Sequence, residues 1–545
     1  MPDQVVPLRS QPGIKRDGTR FEGDFYVDGQ WVRFQRGLPR KIGGYTAINH
    51  YANGIVRQFH TQALNNNIYT HMGTGYGVQR MTIDTLGTTG GPIDRTPATY
   101  TQNDDNTWQF DALYDAAGSS TVLLAHATPS VMDISTSVDM PVYIGDIYST
   151  SVLTPLLDTA TVPFAPITAS GGIVVLHPYL FVFDANGRVR WSDVNDPNNF
   201  TTGDAGDAFP TSSKIIKGLP LRGGGQSPAG ILWTLDSLIR VTYTGGSNVF
   251  SFDTVTASTS VLAVNSIIEY DGIYFWVGMD RFLMYNGVVR EVENNLNIND
   301  FFDNLNSEYA NKIFAYKVPR FGEIWWCYPR GSATECSHAV IYNVRENTWY
   351  DTELPNGGRS AGIYAQVFHS PIMAGVDPIL PPAAATRITE ASDTRVTDAA
   401  GIDVRITDTG YNNYRIWRHE YGVDEVDGPL VTAVQSYFET GDISFTIAQN
   451  PVNRGMVIKA IEPDFVQTGD MTVQIHGRVN ARSEEVNGPI LTFPPAPAAP
   501  ADQIMFFKEQ RRELRVRFES NVAGGDYQMG QILMHIDTGD GRMRS

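Results

Sequence analysis

The stretch Ala339-Val340-Ile341-Tyr342-Asn343-Val344-Arg345-Glu346-Asn347-Thr348-Trp349-Tyr350, followed by Leu354-Pro355, decides how the chain is read. An apolar run meets a polar turn and a second run opens on Thr-Trp-Tyr. β-Branched and aromatic residues on both arms, with polar residues between them, predict an antiparallel hairpin. The same form returns at 68–80, at 179–192 (Tyr179-Leu180-Phe181-Val182-Phe183, then Asp184-Ala185-Asn186-Gly187) and at 273–287. Hairpins recurring at roughly 40 to 50 residues are the pattern of sheets arranged radially around an axis. The expectation is therefore an all-β chain built on a β-propeller of about six to eight degenerate blades. Only 298–312 reads as helical.

The order of apolar strand, polar turn, Trp and Leu-Pro in 339–355 resembles that of kelch-like repeats. The WD dipeptide and the Ser-x-Asp-x-Gly-x-Thr-Trp box of sialidases are absent from the sequence, which argues against WD40 and glycosidase readings. Texture divides the chain into four parts. Residues 1–45 form an arm and a strand expected to close the propeller, and 46–375 form the propeller itself. Residues 376–428 combine a Pro-rich linker with a polar β insert, and 429–545 form a C-terminal β-sandwich or barrel. Clean alternation in 471–477 and 514–519 supports the last assignment. In the insert, Arg387-Ile388-Thr389-Glu390, Arg395-Val396-Thr397-Asp398 and Arg405-Ile406-Thr407-Asp408 repeat Arg-apolar-Thr-acid. They predict short strands whose Arg and acidic side chains pair across neighbours. Arg387, Arg395 and Arg405 are then either part of a spacer or tip and inter-subunit contacts.

At 545 residues the chain has ample apolar surface for two or three domains, and Gly 51, Pro 31 and 11% aromatics favour short strands and tight turns. Net charge is −18, yet residues 1–41 hold eight Lys/Arg against five Asp/Glu. An acidic body disfavours tight, sequence-tolerant DNA binding, because each phosphate contact needs a Lys or Arg to release a counterion. Two cysteines, Cys327 and Cys336, make neither a disulfide framework nor a four-ligand zinc site and fit a reducing compartment. They read as buried thiols, with pairing across one hairpin left open. The opening residues lack an apolar core, and the longest apolar stretch, 173–183, is broken by His177-Pro178. A soluble protein without a signal peptide or membrane span is expected.

A second informative block is Gly29-Gln30-Trp31-Val32-Arg33-Phe34-Gln35-Arg36-Gly37-Leu38-Pro39-Arg40-Lys41-Ile42-Gly43-Gly44-Tyr45. Alternation of Trp31, Arg33 and Gln35 with Val32, Phe34 and Arg36 predicts a strand exposed on one side, bending at Gly37 to Pro39. Its spacing resembles the G-x-x-VRF-x-x-G-x-x-x-x-IGG-aromatic block of podovirus tail nozzle proteins, also called tail tubular or packaged-DNA stabilisation proteins. Arg190-Trp191-Ser192-Asp193-Val194-Asn195-Asp196-Pro197-Asn198-Asn199-Phe200 is similar to their WS-x-x-x-DP-x-x-F element, and 231–245 and 517–542 resemble a later blade and the closing domain.

The resemblance implies a structural virion protein, not an enzyme, with no cofactor. It implies a closed homo-oligomer, commonly of about six copies, docked below the portal-adaptor ring. Such a nozzle retains packaged DNA and conducts it at ejection. It sits in the virion tail after assembly in the host bacterial cytoplasm, with tail fibres or spikes as further partners. Double-stranded DNA passes without specific binding: at −18 each, six copies carry about −108, and an acidic wall repels phosphate. Arg33, Arg36, Arg40 and Lys41 are the expected contacts to the adaptor or a neighbouring subunit, with bracing of the propeller closure as the alternative. The competing function is a carbohydrate-binding or hydrolysing propeller acting on the host envelope, which needs paired carboxylates and aromatics at one mouth.

No motif in the sequence carries chemistry strongly. Gly358-Arg359-Ser360-Ala361-Gly362 matches Gly-x-Ser-x-Gly, but Leu354-Pro355-Asn356-Gly357 before it and a strand-like run after it fit a turn better than a nucleophile elbow. Ten histidines include no i, i+2 or i, i+4 pair, so no metal site is expected. Asp104-Asp105 and 193–199 lack the calcium-loop register and read as solvated turns. Gly73 to Gly77 joins two strands, where a phosphate cradle needs a helix N-terminus. Lys508, Arg511, Arg512, Arg515 and Arg517 alternate with Glu509, Glu513 and Glu519. They read as a solvated face, with a docking surface for an acidic ring as the alternative.

Overall fold

The computed structural model describes residues 4–19, 24–64, 67–83, 90–104, 106–128, 138–222, 228–246, 248–364, 369–379, 385–388, 394–397, 403–404, 413–444, 455–479 and 482–539. They are almost entirely β. The single α-helix, Ile298–Asn304, and the 3-10 turn Ser307–Lys312 fall where the helical pattern was read.

Among the described residues six antiparallel sheets follow one another along the chain, each with four strands in simple meander order, and the second takes a fifth strand, Thr168–Ala169, beside Met140–Asp146. Sheet I runs from Val56–Leu64 to Ile93–Asp94, and sheet II from Thr107–Asp115 to Thr154–Pro155. Sheet III runs from Gly172–Leu176 to Gly206–Ala208, and sheet IV from Ile215–Pro220 to Phe250–Thr256. Sheet V runs from Ile268–Tyr270 to Val289–Glu291, and sheet VI from Phe314–Val318 to Thr348–Glu353. The hairpin read at 339–350 is the outer half of sheet VI, His338–Asn343 paired with Thr348–Glu353. Local chemistry sets the turns. Between Ile268–Tyr270 and Ile273–Val277 only Asp271 (φ 49) and Gly272 (φ 80) remain, the two positive-φ positions of a tight hairpin.

A seventh sheet is assembled from both sides of this run. Arg359–Tyr364 and Pro371–Ile379 pair as a hairpin, and Asn413–His419 adds to it. Beyond Asn413–His419 the next strand is Tyr45–Ala52, antiparallel to Asn413–His419 and parallel to Glu425–Asp427.

Each sheet shares a core with the next. Trp108 of sheet II packs with Val78 of sheet I, Leu180 of sheet III with Leu124 of sheet II, and Leu232 of sheet IV with Phe181 of sheet III. Trp233 of sheet IV meets Trp276 of sheet V, and Phe282 of sheet V meets Trp326 and Trp349 of sheet VI. Ala361 and Ile372 of sheet VII share a core with Phe59 and Met72 of sheet I. The first strands of sheets VII and I are themselves in contact. Strands enclosed on both sides lose the apolar/polar alternation of a one-sided sheet. In Glu323–Tyr328 every residue is buried, with Ile324, Trp326 and Tyr328 in the core toward sheet V and Trp325 and Cys327 in the core on the other side.

Leu157–Asp158 and Ala165–Pro166 pair as a two-stranded sheet, and three larger sheets join the N-terminal strands to the C-terminal ones. One has the order Gln11–Ile14, Phe25–Gln30, Ser436–Thr440, Glu513–Ser520, Met471–Arg478, Val486–Phe493; another is Gln4–Pro7, Leu533–Thr538, Met456–Glu462, Met505–Arg511. The third is Val32–Gln35, Leu38–Lys41, Asp526–Met529, Phe465–Thr468. This differs from the expectation for residues 1–45. All five strands of that arm join sheets with strands beyond residue 436, and the strand inserted into sheet VII is Tyr45–Ala52. The reason is apolar: Leu8, Ile14, Tyr26, Val32 and Phe34 bury in one core with Phe438, Phe465, Val473 and Phe518.

In the polar insert, Ala385–Ile388, Thr394–Thr397 and Asp403–Val404 form a three-stranded sheet. Its register sets Arg387 opposite Arg395, and the acidic members of the repeat, Glu390, Asp398 and Asp408, lie outside the described residues. Arg405 lies outside the described residues. No helix among the described residues is long and apolar enough to cross a membrane.

Candidate functional site

The block from Gly29 to Tyr45 sits where sheets VI and VII meet the C-terminal sheets, and its side chains make the joint. Trp31, Val32, Arg33 and Phe34 are all within 2% of full burial. The sequence expectation of one exposed face fails because both faces are covered, one by sheet VI and the other by the C-terminal strands. Trp31 adopts φ 53, a conformation that costs a non-glycine residue on the order of 1 kcal/mol or more. Three hydrogen bonds fix it. Its backbone N–H donates to Thr352 Oγ1 (2.9 Å), its carbonyl accepts from Ser436 Oγ (2.8 Å), and its indole N–H donates to the Gly43 carbonyl (3.0 Å).

Arg33 is the charged centre of the joint. Its Nε lies 2.9 Å from Glu323 Oε1, its Nη2 donates to Glu323 Oε2 (3.1 Å), and its Nη1 donates to Glu420 Oε2 (3.0 Å). A further contact joins Nη2 to Glu420 Oε1. Phe321 stacks under the guanidinium at 3.7 Å. Glu323 is fully buried, and its remaining capacity is met by Tyr350 O–H (2.6 Å) and Trp325 Nε1–H (2.9 Å). Burial pushes the Glu323 pKa up and the Arg33 charge opposes it. A planar fork meeting two carboxylates at fixed angles is a geometry a lysine cannot reproduce.

The turn after this strand is clamped by Glu346, in the hairpin loop of sheet VI. Its carboxylate accepts from the backbone N–H of Arg36 (2.6 Å) and of Gly37 (3.0 Å), which has φ 75. At the far end, a Cβ on Gly44 would lie 2.3 Å from the Asp424 carbonyl oxygen, so only glycine lets the two backbones approach. Tyr45 then stacks on His419 at 5.2 Å. Val32, Arg33, Phe34 and Gly44 of this block thus each have a packing reason.

The four basic residues singled out from the sequence separate here. Arg33 and Lys41 are internal: the Lys41 ammonium donates to the Gly525 carbonyl (2.6 Å), and burial lowers its pKa against the opposing pull of Asp424 and Asp526. They brace the joint and present no surface to a second chain. Arg40 is half-buried and bonds Gln35 (2.8 Å), while Arg36 is exposed. In the C-terminal basic strands, Arg515 is buried between Glu439 (2.8 Å), Asp442 and Glu485, and Arg517 pairs with Glu519 (3.1 Å).

Ser360 lies inside Arg359–Tyr364 with a strand after it, and its hydroxyl is buried without a partner among the described residues. That is a strand, not a nucleophile elbow. Arg359 beside it bonds His419 Nε2 (3.0 Å) and the Pro355 and Gly358 carbonyls. Cys327 and Cys336 are free and buried, and burial raises both thiol pKa values. In the 193–204 loop the Asp193 carboxylate accepts from the Asp204 N–H (2.9 Å), and Asp204 in turn accepts from Tyr179 O–H (3.1 Å). Among the described residues no group of three His, Cys, Asp or Glu is placed to hold a metal.

Sequence reasoning missed Glu323 and Glu420, which lie 290 and 387 positions from Arg33. It also missed the juxtaposition of His60 and His71, which stand opposite in register on neighbouring strands with their rings tilted and 6.2 Å apart. Spacing rules for one element cannot detect either.

No family model matches this chain, and no curated protein matches it. Among solved structures it is similar to the computationally designed Ika8 protein at 9% identity, over 73% of this chain and 96% of that one, with a TM-score of 0.33. A likeness so distant has no bearing on function.

Proposed function

We propose that this chain is a structural subunit of a short-tailed bacteriophage tail, a nozzle component of which about six copies ring the DNA exit channel below the portal adaptor. In this reading sheets I to VII are the blades of a seven-bladed β-propeller. The consecutive antiparallel meanders, the core shared by each neighbouring pair and the contact between sheets VII and I support that architecture. The observation that carries the functional reading is the joint. The residues in which the sequence resembles the tail family are consumed in locking the propeller to the C-terminal sheets through Arg33, Glu323 and Glu420. A part that must hold shape under packaged-DNA pressure needs such a lock, whereas a catalytic motif would leave its polar groups open to substrate. The net charge of −18 supports passage of DNA without capture.

Two measurements on the full chain test this. Light scattering should give multiples of 60.2 kDa in the presence of the portal-adaptor complex, and electron microscopy should place an axial ring beneath it. A persistent single-copy species together with no axial density would overturn the assignment.

A further inference from the structure

A cavity of 290 Å³ opens where five sheets converge, and its wall takes Gln58 from sheet I, Lys217 from sheet IV, Glu269 from sheet V, Lys317 from sheet VI and Gly362 from sheet VII. Arg222 stands at its rim with its side chain 68% exposed. The charges in this wall are not balanced. Glu269 is occupied by the Lys317 ammonium (3.0 Å) and lies 3.8 Å from Arg222. That leaves Lys217, which makes no hydrogen bond or ion pair among the described residues and interacts only at a distance with Asp111. Asp111 in turn is held by the backbone N–H groups of Ala112 (2.9 Å) and Val175 (2.7 Å). Three cations stand against Glu269 in the wall and the more distant Asp111, itself held by two backbone N–H groups, which leaves a local excess of positive charge in a chain with an overall excess of acid.

We propose that this cavity binds a small multiply charged anion, bearing phosphate or carboxylate groups, with Lys217 as its principal charge partner and Arg222 assisting at the rim. An unpaired ammonium in a recessed wall gains most from an ionic hydrogen bond, since the surrounding low dielectric strengthens it. Tyr274 beside it offers little competition, as its hydroxyl is already bonded to the Pro220 carbonyl (2.6 Å). The protonation state gives a second handle. Burial lowers the Lys217 pKa to about 8, so the anion should be held at neutral pH and released as the amine loses its proton above that value.

The test is calorimetric titration of the full chain with inorganic phosphate and, separately, with citrate, against sodium chloride at matched ionic strength. Saturable binding of either anion is expected. Phosphate alone identifies a phosphate-type ligand and citrate alone a polycarboxylate. With citrate, whose charge is constant above ~pH 7, wild-type affinity should fall about tenfold between pH 7 and pH 9. Lys217→Met should weaken binding at least tenfold, and Arg222→Gln, at an exposed position, should weaken it a few-fold at low salt. Absence of saturable binding by both anions overturns the proposal, as does affinity that neither pH nor these substitutions change. The pH series on unmodified protein decides the matter even where Lys217→Met fails to fold.

Discussion

At the scale of single residues, Arg33 shows why a short sequence block can be strict without being catalytic. Its guanidinium neutralises Glu323, which has no water to fall back on. Replacing it by methionine leaves a buried carboxylate uncompensated, and removal of one member of such a pair costs about 3–5 kcal/mol. Arg33→Met should therefore lower the unfolding free energy measured in urea by that amount, and the double change Arg33→Met with Glu323→Gln should recover a good part of it. A single variant within ~1 kcal/mol of wild type would count against the joint as described. From the sequence, Arg33 is visible as part of a basic strand, but its partners are not, because nothing local links position 33 to 323 or 420. The same blindness hid Lys217, whose surroundings are contributed by five separate sheets.

At the scale of elements, the hairpins are plain in the sequence, since Asp184-Ala185-Asn186-Gly187 and the polar residues of 343–347 mark turns between runs of apolar and aromatic residues. Outer strands were not. Ile93–Asp94, Gly206–Ala208 and Val289–Glu291 are two or three residues long and carry too little pattern to distinguish from loop. How closely sheets approach one another is also unreadable from periodicity. Gly73 is a case in point: a Cβ there would lie 2.2 Å from Trp108 Cγ, so sheets I and II rely on its missing side chain. Gly73→Ala should cost about 1–3 kcal/mol by overpacking. Gly90→Ala, which meets nothing within 4 Å, should be near neutral. Equal urea midpoints for the two variants would contradict the close approach.

At the scale of the whole molecule, buried imidazoles set the acid response. His60 and His126 are held near a pKa of about 4 by burial, and His338 reaches the same value by burial with help from nearby arginines. The unfolded chain takes up protons on these groups near pH 6.5, where the folded chain does not. Stability is thus complete above that pH and falls as pH drops toward 4, by up to ~3 kcal/mol per site. Asp111, raised to about 6 by burial, works in the opposite sense over part of the window, as do Asp196, Glu323, Asp351 and Glu439, while His71 and His419, lowered by burial, and Asp28 and Glu335, lowered by their basic partners, add to the decline. Urea midpoints at pH 7, 5.5 and 4.5 should decline steadily, and His126→Asn should flatten the decline. An unchanged midpoint across this range would mean that these rings are hydrated.

Tyr45–Ala52 has a consequence for how the molecule is made. Its ladder partners are Asn413–His419 and Glu425–Asp427, so a chain emerging from the ribosome carries this strand unmatched while hundreds of further residues are synthesised. Contacts of such long sequence separation form slowly. Sheet VII is completed only after residue 427 has been made, and an exposed strand edge waiting that long is a natural client for chaperones.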